Sequence, residues 1–295
     1  MSKTLHDLIA GTSELRSLPS TTMRLMGLLD DATVGADEVL EVIEKDPSLT
    51  ANLLKLSNSA YYGLRGRVGS VREALVMLGN KTIVNLAFAT SMGDILRGPL
   101  AGYHLGRNEF WHHALGTAVG ASRLVSRLDS GKGEASLREK AFTGGLVHDI
   151  GKLLLNRSLK EKLVQLPPAA DFQTLLAAEI DILGFDHAEA GAALAVAWNF
   201  PVSLSQLIGA HHVPEPGVAV WQDMEDEVHT LVRAVAGANV LTAYCGFGAG
   251  SAPLVEDDMY ATMAQLEFDR ETVEAVVASL PHDLDAMLSV IGESR

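Results

Sequence analysis

The 295-residue sequence has one cysteine, few aromatics and a shortage of positive charge, and each scarcity removes a class of function. Cys245 has no internal partner, so no disulfide framework is available and the chain suits a reducing compartment, with the cytoplasm as the expected location. Aromatic residues make up only 5% of the chain while Leu, Ala, Val and Met abound, a balance that favours packed helices over a β-sandwich or barrel. With 23 Lys and Arg against 37 Asp and Glu, the formal charge is −14, which excludes a sequence-independent grip on nucleic acid. No apolar run is long enough to cross a bilayer, and the opening "MSKTLHDLIAGTSELRSLPS" lacks the apolar core of a signal peptide, so no membrane partner is expected.

What is present is a large store of apolar residues, 47% of the chain, arranged with helical period. An all-α fold is expected, made of an N-terminal helical bundle and a second helical core, with boundaries at residues 1–104, 105–250 and an acidic helical extension over 251–295. Asp46 before Pro47 marks a helix start, because Asp caps and Pro tolerates the first turn. Ser70 and Glu73 have capping-box spacing, and Gly79 is the expected stop. "FWHHALGTAVGASRLVSRL" is an amphipathic helix, "DSGKGEAS" a loop, and "AFTGGLVHDIGKLLLN" the next helix. The residues after Ser251 read as two or three more helices. From Glu215 onward there are fifteen Asp and Glu against three Lys and Arg, the pattern of a solvated face.

The stretch "AFTGGLVHDIGKLLLN" sets a histidine, an aspartate and a lysine in an apolar run, where charge is costly unless paired or bound to a metal. The His-Asp dipeptide also occurs at His6-Asp7 and His282-Asp283, in polar surroundings that mark surface residues. His148-Asp149 is different. Neighbours on a helix point about 100° apart, so the two converge only at a cavity lined by other helices. His113, His187, His211, His212 and Asn239 lie on such helices, and helix bundles build metal sites from single inward side chains of this kind. Lys152, four residues after His148, is placed to meet a phosphate or other anion. Against this stands a plainer account, in which each histidine is a hydrogen-bonded core residue; His104, His112 and His229 fit it best.

In order along the chain, "DPSLTANLLKLSNSAYYG", "WHH", "GGLVHDIGK", "LGFDHAEAGAALAVAWNFP" and "IGAHH" resemble the HDOD domain, a relative of the HD-type metal-dependent phosphohydrolases, over about residues 15–213. The resemblance implies an HD-like helical core. It also implies a role in bacterial signal transduction without established catalysis. In the catalytic HD and HD-GYP relatives, metal ligands fall at positions matching His113, His148, Asp149 and a later Asp, with further histidines matching His187, His211 and His212. Here the later position is Asn239, an amide where the relatives have a carboxylate. That leaves Asp149 as the one anionic ligand, in a histidine-rich set suited to Zn, Fe or Ni if it holds a metal at all.

The expected function is therefore a cytoplasmic bacterial signalling protein that works by protein interaction, its HD-like pocket vestigial or ligand-binding. The rival is a metal-dependent phosphohydrolase acting on a nucleotide or cyclic dinucleotide, with Asp149 and Lys152 as catalytic candidates; a plain helical module is a third reading. No receiver, GGDEF, EAL or helix-turn-helix signature is present, so output is expected to pass through an unidentified signalling partner.

Overall fold

A computed structural model describes residues 5, 8–9, 18–30, 33–128, 135–162, 166, 172–212, 224–247 and 254–290. Among them the chain is all-α, with no strand beyond a lone bridge between Leu100 and Leu105. It folds as two compact units, one of Leu18–Ile95 together with the residues from Ser279 onward, the other containing Leu96–Ala278.

The first unit carries α1 (Ser20–Asp30), α2 (Ala36–Ile43), α3 (Pro47–Ser57), α4 (Val71–Leu78) and α5 (Asn80–Leu96). The caps follow the local chemistry. Asp46 accepts from the Ser48 and Leu49 amides at 2.9 and 3.0 Å, Pro47 fills the first position of α3, and Ser70 Oγ accepts from the Glu73 amide. The return bond from Glu73 reaches the Gly69 amide at 2.7 Å, so the box closes one residue earlier than its spacing implies. Gly79 ends α4 at φ +84°, a conformation that L side chains rarely adopt. Asn58 pins the loop after α3 by bonding both the carbonyl and the amide of Val68.

The second unit holds α6 (Glu109–Leu128), α7 (Ala135–Val147), α8 (Gly151–Lys162), α9 (Phe172–Leu183), α10 (His187–Ala197), α11 (Val202–Ala210), α12 (Asp226–Tyr244) and α13 (Glu256–Gln265). The last helix, α14 (Arg270–Val290), runs from this unit into the other. The segment after Ser251 thus contributes two helices. Helix α6 packs on α7 and α12, while α10 packs on α8 and α11. Glycines let these backbones meet: a Cβ on Gly145 would lie 2.7 Å from the Ala118 backbone of α6.

Two expectations are corrected. The run from Ala141 to Asn156 is not one helix, because α7 ends at Val147 and α8 begins at Gly151, with His148, Asp149 and Ile150 in a turn between them. Bonds from Ile150 N to Val147 O and from Lys152 N to Asp149 O tighten that turn to three-residue closure. The second correction concerns His282-Asp283: the histidine is exposed, but Asp283 is only 6% exposed, on the buried side of α14. His6-Asp7 and most of the "DSGKGEAS" loop lie outside the described residues.

Candidate functional site

The turn between α7 and α8 is the base of the site. Because His148 and Asp149 leave the α-helical path, both side chains reach the same interior point, which consecutive positions on one helix cannot do. Gly151 makes the turn possible. A Cβ there would fall on the His187 carbonyl oxygen and 2.6 Å from the Gly191 amide, so α8 can start against α10 only with glycine at this position.

Around Asp149 the fold gathers five histidines. Oδ2 lies 3.5 Å from Nε2 of His113 on α6 and 3.4 Å from Nε2 of His148. Oδ1 lies 3.1 Å from Nε2 of His187 at the start of α10 and 3.4 Å from Nε2 of His211 just after α11. His212 Nε2 is 2.8 Å from His187 Nε2. His113, His148, His187 and His211 have no exposed surface, and His212 is the one member that is not fully enclosed. Two groupings result, His113 with His148 and Asp149, and His187 with His211 and His212, each able to offer three donor atoms to one ion.

The tautomers follow from the hydrogen bonds. A carbonyl oxygen can only accept, so Nδ1–H of His113 donates to Phe247 O, that of His148 to Gly145 O and that of His211 to Ile208 O. Each ring is thereby held with its Nε2 facing inward. Burial keeps His113 neutral, its pKa pushed down to about 3, and likewise His211, pushed down to about 4. The Nε2 atoms of His113 and His148 lie 3.3 Å apart, within hydrogen-bond distance of each other beside the Asp149 carboxylate. Asp149 Oδ1 and His211 Nε2 are both buried without a hydrogen-bond partner.

His187 is held by a charge instead of a carbonyl. Its Nδ1–H donates to the Glu179 carboxylate, at 2.7 Å from Oε2, and its backbone amide donates to the same oxygen at 2.8 Å. Burial alone would make His187 less basic, but the Glu179 charge outweighs it and raises the pKa to about 9. Tyr103 donates its hydroxyl to Glu179 Oε1 at 2.7 Å. Lys152 Nζ lies 2.7 Å from Asp149 Oδ2. Burial works to raise the Asp149 pKa, yet His148 and Lys152 hold it well below the ordinary carboxylate range. Without an added ion, the pocket balances Asp149 and Glu179 with Lys152 and the His187 imidazolium.

These donors fit a divalent transition ion. Separations of 3.3, 3.4 and 3.5 Å within the His113, His148, Asp149 group match the edge of a tetrahedron, roughly 3.3 Å for the ~2.0 Å bonds of zinc to imidazole and carboxylate. Anchoring Nδ1 of His113, His148, His187 and His211 so that Nε2 faces inward is also what orients metal-binding histidines. His113, His148, Asp149, His187, His211 and His212 are the residues that would hold it.

Asn239 lies on α12, 4% exposed, with its amide oxygen buried and unpartnered. His104 bonds the Leu166 carbonyl instead of joining the cluster, while His112 and His229 are only part-buried. Sequence reasoning missed Glu179 and Tyr103. Glu179 did leave a signal: Leu175, Glu179 and Leu183 share the buried stripe of α9 at four-residue spacing, so a carboxylate occupies a core position. Tyr103 left none, as it sits in a short turn over Ala101–Tyr103.

Comparison with known proteins adds the family context. Residues 15–214 match the HDOD domain. An uncharacterized protein of Treponema pallidum (strain Nichols) is 26% identical over 230 residues, which is 77% of this chain and 42% of that protein, so the chain spans less than half the length of this curated relative. The crystal structure of an HDOD domain protein with unknown function from Geobacter sulfurreducens superposes with a TM-score of 0.72 at 22% identity, over 97% of this chain and 96% of that one. A candidate phosphohydrolase of Shewanella amazonensis SB2B gives 0.66 at 24%, over 97% and 96%. A candidate signal transduction protein of Marinobacter aquaeolei VT8 gives 0.65 at 24%, over 93% of this chain and 58% of that one. At these identities the likeness is one of fold.

Proposed function

The chain belongs to the HDOD domain family, and from that premise we propose that it is a bacterial signal-transduction protein acting through protein interaction, its helical pocket holding a divalent transition metal without turning over a substrate. The observation that carries this reading is the ion pair at the centre of the pocket. Lys152, the cation that a phosphohydrolase would direct at its substrate's phosphate, is 2.7 Å from Asp149 Oδ2, and both side chains are 2% exposed. A cation spent on neutralising the ligand carboxylate is not presented to an incoming anion. Asn239, which the family resemblance matches to a ligand carboxylate, works in the same direction if it faces the ion, since a neutral oxygen polarises a bound ion less than a carboxylate would.

The rest of the molecule supports a cytoplasmic interaction role. The single cysteine favours a reducing compartment, and a charge of −14 disfavours nucleic acid as the partner. Among the described residues no helix is long and apolar enough to cross a membrane. A signalling protein is the proposed partner. The resemblance in fold to a candidate signal transduction protein agrees with this, and that to a candidate phosphohydrolase names the rival activity.

Turnover decides between them. Full-length protein loaded with Zn²⁺, Fe²⁺ or Ni²⁺ is expected to hydrolyse neither bis(p-nitrophenyl) phosphate nor cyclic dinucleotides faster than its Asp149→Ala variant. Metal-dependent hydrolysis that Asp149→Ala abolishes would replace this reading with the phosphohydrolase.

A further inference from the structure

The pocket presents an imbalance. Five histidine rings surround a single carboxylate, and Lys152 already offsets that carboxylate's charge. A divalent ion entering such a set meets little negative charge, and in a buried site the deficit is not screened by water. One other anion is within reach. Glu179 is fully buried and accepts three hydrogen bonds, from the Tyr103 hydroxyl, the His187 amide and His187 Nδ1.

A capping role for α10 does not account for Glu179. Asp186 already caps that helix, accepting from the Glu189 amide at 2.8 Å. Nor do the other rings need such a residue, since backbone carbonyls orient His113, His148 and His211. His187 is the ring whose Nδ1 faces a full negative charge, and its Nε2 is the atom 3.1 Å from Asp149 Oδ1.

We propose that Glu179, pinned by Tyr103, is a positioning residue for a divalent transition ion in this pocket, supplying through the His187 ring the negative charge that the amide at Asn239 does not. A carboxylate accepting Nδ1–H fixes the ring's orientation and raises the electron density at Nε2, which strengthens the ring as a ligand. Tyr103 holds the carboxylate so that this bond is made without a further loss of side-chain freedom. The inference rests on the metal-binding part of the function proposed above.

The test is Zn²⁺ affinity of the full, untagged chain, measured by competition with a chelator of known affinity. Melting of the metal-free protein is followed in parallel. Glu179→Gln keeps the shape and an accepting oxygen while removing the charge. It is expected to weaken Zn²⁺ binding about 10- to 100-fold, and Tyr103→Phe is expected to weaken it less, in the same direction. A folded Glu179→Gln protein that binds Zn²⁺ as tightly as wild type overturns the proposal and leaves Glu179 a structural buried acid. Should Glu179→Gln fail to fold, Tyr103→Phe decides: unchanged affinity there overturns the proposal too. Failure of wild type to bind Zn²⁺, with no difference between it and His113→Ala, overturns the metal reading itself. Loss of binding in His113→Ala but not in Glu179→Gln overturns only the role of Glu179.

Discussion

Lys152 Nζ sits 2.7 Å from Asp149 Oδ2 with neither side chain more than 2% exposed, so each buried charge depends on the other. Removing one partner strands the second where water cannot reach it. Lys152→Met is therefore expected to destabilise the metal-free protein by about 3–5 kcal/mol. Saturating Zn²⁺ should recover part of that loss, because the ion replaces the missing positive charge. Urea melts with and without the metal measure both effects. Equal destabilisation in the two states would show that the ammonium and the ion do not share the carboxylate.

Gly151→Ala tests the base of the site. Its Cβ would run into the His187 carbonyl and lie 2.6 Å from the Gly191 amide, and backbone at both contacts cannot rotate away. Overpacking against side chains costs about 1–3 kcal/mol, and against main chain it should exceed that range. Gly237→Ala is the control, since a Cβ there meets only side-chain ends at 3.1 Å. Thermal melting should rank Gly151→Ala far below Gly237→Ala. A ranking in the other order would mean that α8 and α10 do not approach as closely as described.

Stability of the metal-free protein should peak near pH 6.5 and fall unequally on either side. Burial pushes His113 down to about 3 and His211 down to about 4 in the folded chain, both well below an ordinary imidazole at about 6.5. As pH drops below 6.5 the unfolded chain therefore takes up protons that the folded chain refuses, and stability falls by up to about 3 kcal/mol per pH unit for the two. Depressed Asp149 and Glu179 extend that loss below about pH 4. His187 has the opposite sign: raised to about 9, it contributes stability that is complete below 6.5 and lost as pH climbs through 9, at about 1.4 kcal/mol per unit. Urea midpoints from pH 4 to 9 should trace a dome steeper on its acid side. A symmetric dome would contradict the buried, neutral state of His113 and His211.

The helices and their starts were legible wherever short-range chemistry decides them, as with Asp46 before Pro47 and Ser70 before Glu73. The break at His148–Ile150 was not, because apolar periodicity runs through it and the cause of the turn is tertiary: α8 must start against the α10 backbone at His187 and Gly191, well separated from it along the chain. The same limit applies to the pocket. Its histidines stand out as polar residues on apolar helices, but their shared focus on Asp149 depends on how α6, α8, α10 and α11 pack. Lys152 was expected to face an anion, and it faces Asp149 because the turn brings the carboxylate back toward α8. Glu179 could have been found from its place between Leu175 and Leu183, whereas Tyr103 depends on a contact across 76 residues of sequence.

Asn239 gives the last test, because the structure makes its two consequences opposite in sign. The amide oxygen is buried and has no hydrogen-bond partner, so a carboxylate placed there would be desolvated and unpaired in the metal-free protein. Asn239→Asp is thus expected to lower the metal-free melting temperature, by the equivalent of about 3 kcal/mol for an uncompensated buried charge. Metal reverses the account. If residue 239 faces the ion, the new carboxylate adds a second anionic ligand beside Asp149, and Zn²⁺ affinity should rise at least about tenfold, no less than the effect of an outer-shell partner. The mutant should then show a larger melting shift on Zn²⁺ addition than wild type, since a ligand bound only by the folded state stabilises it as the logarithm of one plus the ratio of its free concentration to Kd. Hydrolytic activity need not return with affinity, because Lys152 would still lie on Asp149. A destabilised mutant with unchanged Zn²⁺ affinity would place residue 239 outside the ion's reach, and the weak ligand set would then have to be traced to Lys152 alone.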